Sequence, residues 1–465
     1  MKKFIGSWSF YKKTLIIAIP IMIQNLITNF VALIDNIMVG KIGTEQMSGV
    51  AISNQLFFVF NLAVFGSISG AGIFCAQFFG KKDYKGVQST FRFKFLTAGV
   101  ITLLGCIIFL IFGGNLISLY LHDAQKGIDL NKTFFFAKEY MAVMLIGLIP
   151  FSFEQVYSST LREGGISTPP MIAGIVAVIT NIILNYLLIF GIGFFPELGV
   201  TGAAVATVIS RFVQLFIVIL WSHSHKNELP YIKNIYKTFK IPANLAKRIF
   251  IKGCLPLTTN ECLWGASVAA LAQCYSVRGI DVVAGQNIAN TAINLFNVLF
   301  IAFGSGVSVV SGQLLGADDI EGAKDAAPKL IFFSGAMCVV VGFVMALVSK
   351  VFPEVYNTTQ NVKSLATSFI LISAIFMPVH SVVHSTYFIL RSGGKTLITF
   401  LFDSVFAWGI SVPSAFLLAH YTNLNIVAIY ISTQLIESIK CVIGLVLIKK
   451  GVWISNIINE NKFNS

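Results

Sequence analysis

Charge is scarce in this chain of 465 residues: Asp, Glu, Lys and Arg make up 11% of it, where an ordinary soluble domain carries about 25%. With hydrophobic residues at 56% and a mean hydropathy of +0.80, almost no room is left for a soluble protein of this size. Acid is scarcer still, with 20 Asp and Glu against 33 Lys and Arg and a formal net charge of +13. A basic balance raises the question of nucleic acid. The apolar excess makes the membrane the better partner, because cytoplasmic loops of membrane proteins collect Lys and Arg for reasons of topology. Cysteines number 7 and show no C-x2-C spacing, which excludes a zinc ribbon and a disulfide framework and leaves small buried hydrophobes. No P-loop G-x4-G-K-[ST] occurs, so the chain is not expected to hydrolyse ATP; it is expected to act as a transporter and not as an enzyme. Nothing resembles a re-entrant filter or a ring-forming repeated acid, which argues against a channel.

What is present is a series of long apolar runs. The first follows Lys2, Lys3, Lys12 and Lys13 and extends from Thr14 to about Met38. It is too long for a signal-peptide core and has no small-residue cleavage site, so it reads as an uncleaved span. Taking roughly 20 residues to cross the hydrocarbon, twelve spans are predicted, starting near residues 14, 50, 91, 134, 170, 199, 250, 284, 327, 364, 396 and 424. An even count puts both termini on one side, and that side holds 25 of the 33 Lys and Arg. Lys41, Lys126, Lys132, Lys138, Arg278, Lys350 and Lys363 fall opposite, and Arg211 falls inside a span. Both termini are therefore expected in the cytoplasm. The polar stretch 222–249, with Lys226, Lys233, Lys237, Lys240, Lys247 and Arg248, separates an N-terminal lobe (1–221) from a C-terminal lobe (250–465).

The two halves repeat. A gap-free shift of 236 residues pairs Pro20 with Pro256, Asn54 with Asn290, Asn61 with Asn297 and Gly70 with Gly306. It also superposes Gln77-x2-Gly80-x2-Asp83-x2-Gly86 on Gln313-x2-Gly316-x2-Asp319-x2-Gly322. A second echo sets Leu161-Arg162-x-Gly164-Gly165 against Leu390-Arg391-x-Gly393-Gly394. Six spans per repeat is even, so the halves enter from the same side and are related by a pseudo-two-fold axis along the membrane normal. The predicted fold is an all-α integral membrane protein of twelve transmembrane helices in two six-helix lobes, the architecture of parallel-repeat transporters with the path between the lobes.

Ionisable residues inside spans are expensive and mark function by default. They are Asp35, Glu154, Arg211, Glu261, His380, His384, Asp403 and Glu437, an acidic set that suits a path for cations or protons. Asp35 lies near the outer end of the first span; Asn181 and Asn185 are one turn apart on the fifth, and Thr207 lies about 12 Å into the sixth. One carboxylate with amide and hydroxyl oxygens suits a hard monovalent cation, or a carboxyl that takes up a proton. The bland alternative is interhelical hydrogen bonding by the amides and hydroxyl. Glu261 and His380 are reckoned at similar depth, His380 and His384 share a helix face, and a carboxylate beside imidazole moves protons. Glu154 is the candidate partner of Arg211, Glu437 and Lys440 form an intrahelical pair, and Asp403 either snorkels or lines the path. Most of the 42 phenylalanines face lipid; a minority facing a cavity would suit flat cationic ligands.

Pro20-x4-Asn25, Asp35-Asn36-x-Met38-Val39-Gly40, the Gln77-x2-Gly80 and Gln313-x2-Gly316 pair, Leu161-Arg162-x-Gly164, Asn181-x3-Asn185 and Gly199-Val200-Thr201-Gly202-Ala203-Ala204-x-Ala206-Thr207 together resemble the multidrug and toxic compound extrusion (MATE) family. The resemblance runs from about residue 14 to 450 and leans towards the NorM-like branch, which carries Asn where Asn185 stands. It implies a V-shaped cavity and rocker-switch export of amphipathic organic cations in exchange for Na+ or H+, with no cofactor. It also implies a cation or proton site at Asp35, Asn181, Asn185 and Thr207, where Na+ would sit on Asp35, Asn181 and Thr207, and a seventh-helix acid at Glu261. Where the family has an aspartate in helix ten this chain has His380, which weakens a C-lobe Na+ site and tilts the expectation towards protons. Glu154, His380, His384 and Asp403 remain candidates for the substrate or proton path. The expected protein is a monomeric, multi-pass efflux antiporter of the cell membrane that binds no nucleic acid. Two rivals are a lipid-linked precursor flippase, which needs basic residues in its cavity where only Arg211 is available, and a non-transporting membrane protein.

Overall fold

A computed structural model describes residues 4–121 and 129–459. Lys2, Lys3 and Lys126, used above for topology, lie outside the described residues, as does the side chain of Asn36. Every regular element among the described residues is helical. In chain order the long helices are α1 Trp8–Gly40, α2 Thr44–Lys81, α3 Tyr84–Ser118, α4 Leu130–Glu163, α5 Thr168–Phe190 and α6 Gly199–Ser224. The second half contributes α7 Leu255–Ser276, α8 Ile280–Gly316, α9 Ile320–Val348, α10 Gln360–Ser392, α11 Thr396–Tyr421 and α12 Ile426–Lys449. Eleven of the described helices are long and apolar enough to cross a membrane. The remaining one, α7, has 22 residues and is diluted by Thr258, Thr259, Asn260 and Glu261. Several helices start earlier than predicted: α2, α3 and α4 have 38, 35 and 34 residues, well beyond the roughly 20 needed to span hydrocarbon.

Local signals explain the boundaries. Asp129 caps α4 by accepting from Asn131 N at 3.0 Å and Lys132 N at 3.2 Å, satisfying donors that have no partner inside the helix. Pro169 and Pro170 open α5, and Gly191, with φ +63°, closes it, a left-handed cap that favours glycine. The duplicated Gln-x2-Gly-x2-Asp-x2-Gly motif is a helix–turn–helix: α2 and α8 end, Lys82 (φ +59°) and Asp318 (φ +60°) reverse the chain, and the aspartate begins the next helix. Asp319 accepts from Gly322 N at 2.9 Å as the cap of α9. In α11 the turns Leu401–Val405 and Ala407–Ser411 widen to π-helix, a distortion frequent at functional sites.

The helices pack into two compact units, one of Met1–Met22, Ala76–Asp83 and Ile251–Ser465, the other of Ile23–Cys75 and Tyr84–Phe250. In the first, the halves of the repeated motif meet each other. A side chain at Gly80 would strike the backbone carbonyl of Gln313, and one at Gly316 that of Gln77, so each glycine permits close approach of the other motif's backbone. The buried Gln77 amide is fully used: Nε2 donates to Ser392 O at 3.0 Å and Ser455 O at 3.1 Å, and Oε1 accepts from Ile457 N at 2.9 Å. Around this pin lies a core that includes Ile17, Phe303, Leu315, Leu330, Leu390 and Trp453. In the other unit the connector after α6 is a packed strap. Leu229, Tyr231, Ile232 and Ile235 are buried. Gln88 donates to Tyr231 O and Lys233 O, and Arg92 to Ile235 O and Asn234 O.

Candidate functional site

Four of the predicted residues meet in the unit Ile23–Cys75 and Tyr84–Phe250. Asn185 Nδ2 donates to Asp35 Oδ1 at 2.6 Å. Asn181 and Asn185 are both buried, and the one-turn spacing on α5 aims both amides at α1. The head of the Asn181 amide lies 3.0 and 3.1 Å from the two Asp35 oxygens, and this contact has two chemical forms. Presenting nitrogen, Asn181 donates to the carboxylate and accepts from Thr207 Oγ1 at 3.2 Å. Presenting oxygen, it donates to Thr207 Oγ1 at 3.2 Å and accepts from Asn185 Nδ2 at 3.1 Å. Thr207 Oγ1 also lies 2.9 Å from Ala203 O, and the first form is the one that matches donors to acceptors when Asp35 is ionised. The second form turns Asn181 Oδ1 towards two carboxylate oxygens, and an acceptor facing acceptors requires a proton or a cation between them. Asn185 Oδ1 is likewise buried without a hydrogen-bond donor. No Lys, Arg or His among the described residues pairs with Asp35, in contrast to Glu163, Glu261, Asp403 and Glu437. Sequence reasoning missed Tyr140: buried on α4, it reaches Asn54 Oδ1 at 3.4 Å and faces both Asp35 and Arg211. A lone tyrosine in an apolar run carries no periodic signal.

The expected pairing of Arg211 with Glu154 does not occur. Arg211 Nη1 donates to Gly147 O at 3.1 Å, and its guanidinium lies 5.1 Å from the Phe151 ring centroid. Gly147 lies about 10 Å along α4 from Glu154; a Cβ there would crowd Val208 at 3.0 Å and would touch Arg211 only at an ordinary 3.6 Å. Glu154 is 2% exposed. It accepts from Gln155 Nε2 at 2.9 Å and from the Ser158 hydroxyl, and it faces the charge of Arg162. Arg162 Nη2 donates to Gln24 Oε1 at 2.7 Å. Lys94, 0% exposed, pairs with Glu163 at 2.5 Å and donates to Ser159 and Thr160.

In the other unit, Glu261 is joined by Tyr387, whose hydroxyl donates to it at 3.4 Å and accepts from Asn260 Nδ2 at 3.1 Å, and by Arg391 at 3.8 Å. Asn260, which sequence reasoning passed over, also donates to Asp403 Oδ2 at 3.2 Å and accepts from Ser404 at 2.7 Å. Asp403 neither snorkels nor stands alone: Lys440 Nζ lies 3.3 Å from it and 2.9 Å from Glu437, and the Ser411 hydroxyl donates to Glu437. The intrahelical Glu437–Lys440 pair is therefore present, and it extends to a third charge.

His380 is not beside Glu261. The charges facing it are Glu437 and Lys440, whereas those facing Glu261 are Arg391 and Asp403. Glu261 touches α10 at Tyr387, seven residues past His380 or about 10 Å along the axis. His384 packs 4.8 Å from the Phe300 ring. Two expectations change with these contacts. The charged set inside the helices is not predominantly acidic, since Lys94, Arg391 and Lys440 are buried in ion pairs. Arg211 is also not the only cation within the helices: Lys94, Arg391 and Lys440 are held by carboxylates, Arg92 by backbone carbonyls and Arg162 by Gln24.

The MatE family model matches this chain twice, over residues 20–187 and 257–417, once in each sequence repeat. The chain is 24% identical over 436 residues to the probable multidrug resistance protein YoeA of Bacillus subtilis, covering 91% of this chain and 90% of that one. It is 26% identical over 454 residues to the probable multidrug resistance protein NorM of Thermotoga maritima, covering 95% and 93%. Its fold matches a crystal structure of MATE in complex with MaD3S with a TM-score of 0.85 at 19% identity, covering 97% of both chains. A twelve-helix chain duplicated in sequence, matched in both repeats and similar in fold over nearly its whole length, belongs to the MatE family.

Proposed function

We propose that the protein is a secondary multidrug exporter that expels amphipathic organic cations in exchange for protons, with Asp35 as the coupling group. The observation that supports this reading is the half-buried Asp35 carboxylate faced by Asn181, Asn185 and Thr207, with no Lys, Arg or His among the described residues paired to it. A proton on Asp35 donates to Asn181 Oδ1 and leaves every other hydrogen bond of the cluster in place. Loss of that proton turns the Asn181 amide over and breaks its bond from Asn185. Coupling by population shift requires that the proton bind the two access states with different affinity, and the rearrangement of this cluster on protonation is the local change through which that difference would arise. Na+ on the Asp35, Asn181 and Thr207 oxygens is the competing coupling ion.

Glu261 is a second protonation site on this reading, held by Tyr387 and Arg391, while Glu154, Asp403, His380 and His384 line or support the path. The lobes 1–221 and 250–465, joined by 222–249, exchange access in rocker-switch fashion, as a monomer in the cell membrane with both termini cytoplasmic. The relatives' designation as probable multidrug resistance proteins and the cation-ready chemistry of Asp35 support this over a flippase, whose anionic cargo needs basic residues free in the path, whereas Lys94, Arg391 and Lys440 are paired with acids. The test is efflux of ethidium from proteoliposomes under an imposed pH gradient and, separately, an imposed Na+ gradient. Efflux driven by the pH gradient alone is expected. Efflux driven only by Na+ would replace the proton by Na+, and efflux under neither would overturn the antiport reading.

A further inference from the structure

We propose that the trough between α9, α10 and α12 is a binding site for one anionic phospholipid. The cavity has a volume of about 1250 Å³ and lies within a single unit. One face of α9 forms its wall: Ala327, Ile331, Gly335 and Val339 recur at helical spacing, and Leu445 and Ile448 of α12 face them. Pro328 and Pro378, both inside helices, also line it. Each lacks the N–H that would bond the preceding turn.

Its two ends differ. Lys324, Lys449 and Lys450 stand together at one rim, and no Asp or Glu lines the cavity. Lys324 carries an exposed pair with Glu321 at 2.9 Å, of the kind that contributes little. From Lys324 to Val339 the trough runs 15 residues, about 22 Å, more than the roughly 15 Å of one hydrocarbon leaflet. An apolar slot as deep as a leaflet with three lysines at its mouth matches an acyl chain joined to an anionic head. The rim also lies at the helix ends that the positive-inside rule assigns to the cytoplasm, where anionic lipids attract basic clusters. The same lysines repel the organic cations proposed for export, so the trough is not a second route for them.

The test is native mass spectrometry of the purified full chain incubated with phosphatidylglycerol or phosphatidylcholine of the same acyl chains. Selective retention of phosphatidylglycerol is expected. Each lysine is worth roughly fivefold in affinity, so Lys324→Gln/Lys449→Gln/Lys450→Gln is expected to lose on the order of 100-fold, and the exposed-site pair Lys449→Gln/Lys450→Gln about 25-fold. Ala336→Trp narrows the apolar part and leaves the lysines intact, and is expected to reduce phosphatidylglycerol retention as well. Equal retention of the two lipids, or lysine variants that behave as wild type, would overturn the proposal. So would retention unaffected by Ala336→Trp, which would place the lipid elsewhere on the surface, or displacement by excess inorganic phosphate, which would mean an anion site without the chain.

Discussion

Lys440 pairs with two carboxylates at once, and Lys440→Met removes its charge with little change in volume. In the native chain it lies 3.3 Å from Asp403 and 2.9 Å from Glu437, its side chain 5% exposed and theirs 20% and 26%. Breaking a buried pair by deleting one partner costs about 3–5 kcal/mol, chiefly because the remaining charge stays buried. Two carboxylates are stranded here, which argues for the upper end, but each keeps a neutral donor, Asn260 to Asp403 and Ser411 to Glu437, and both are partly exposed. We therefore expect a loss of about 3 kcal/mol. The triple variant Lys440→Met/Asp403→Asn/Glu437→Gln removes all three charges and keeps the shapes, so it is expected to regain most of that loss. Equilibrium unfolding in mixed dodecylmaltoside and SDS micelles, followed by tryptophan fluorescence, reads both. A single variant losing under about 1 kcal/mol, or a triple variant no more stable than the single one, would refute the view that Lys440 neutralises both acids.

Three further outcomes follow from the contacts. Gly80→Val and Gly316→Val each push a side chain into the facing Gln313 or Gln77 backbone; both are expected to abolish folded protein in detergent by size-exclusion chromatography, while Gly193→Ala, which faces open space though at φ +74°, retains it. Arg92→Met releases the carbonyls of Ile235 and Asn234 and is expected to raise the rate of tryptic cleavage at Lys233 and Lys237 several-fold through local opening of the strap. Asn181→Leu keeps the volume near Asp35 but deletes the amide that answers its charge, and proton-driven dye efflux is expected to fall roughly tenfold, the value of one hydrogen bond to a charged group.

Much of this was legible in the sequence because the membrane simplifies it. Apolar run length gives the spans, the 236-residue register gives the duplication, and the i, i+4 spacing of Asn181 and Asn185 gives a shared face that does meet Asp35. In sequence, basic residues read as markers of the membrane edge, yet helices of 33 to 35 residues exceed the roughly 20 that span hydrocarbon. Lys94 and Arg391 in those helices, and Lys440 in a shorter one, are not boundary charges but buried partners of Glu163, Glu261 and Asp403. The same reckoning set Glu261 level with His380, although it meets Tyr387 and Arg391 nearer the end of α10. Charge alone assigns Arg211 to the acid of its own lobe; the Gly147 carbonyl that binds it instead has no signature in a single sequence. The role of Asn260 depends on the π-helical turn that carries Asp403 and Ser404, and no local pattern announces that turn.

The central claim is that Asp35 takes up and releases the coupling ion, and Asp35→Asn in proteoliposomes tests it most directly. The substitution keeps the shape and the hydrogen-bond capacity of a protonated carboxyl but cannot ionise. Ethidium efflux under an imposed pH gradient is expected to fall to the level of empty liposomes, while ethidium still binds the purified variant with wild-type affinity. Gradient-driven efflux at the wild-type rate in the Asp35→Asn variant would contradict the account.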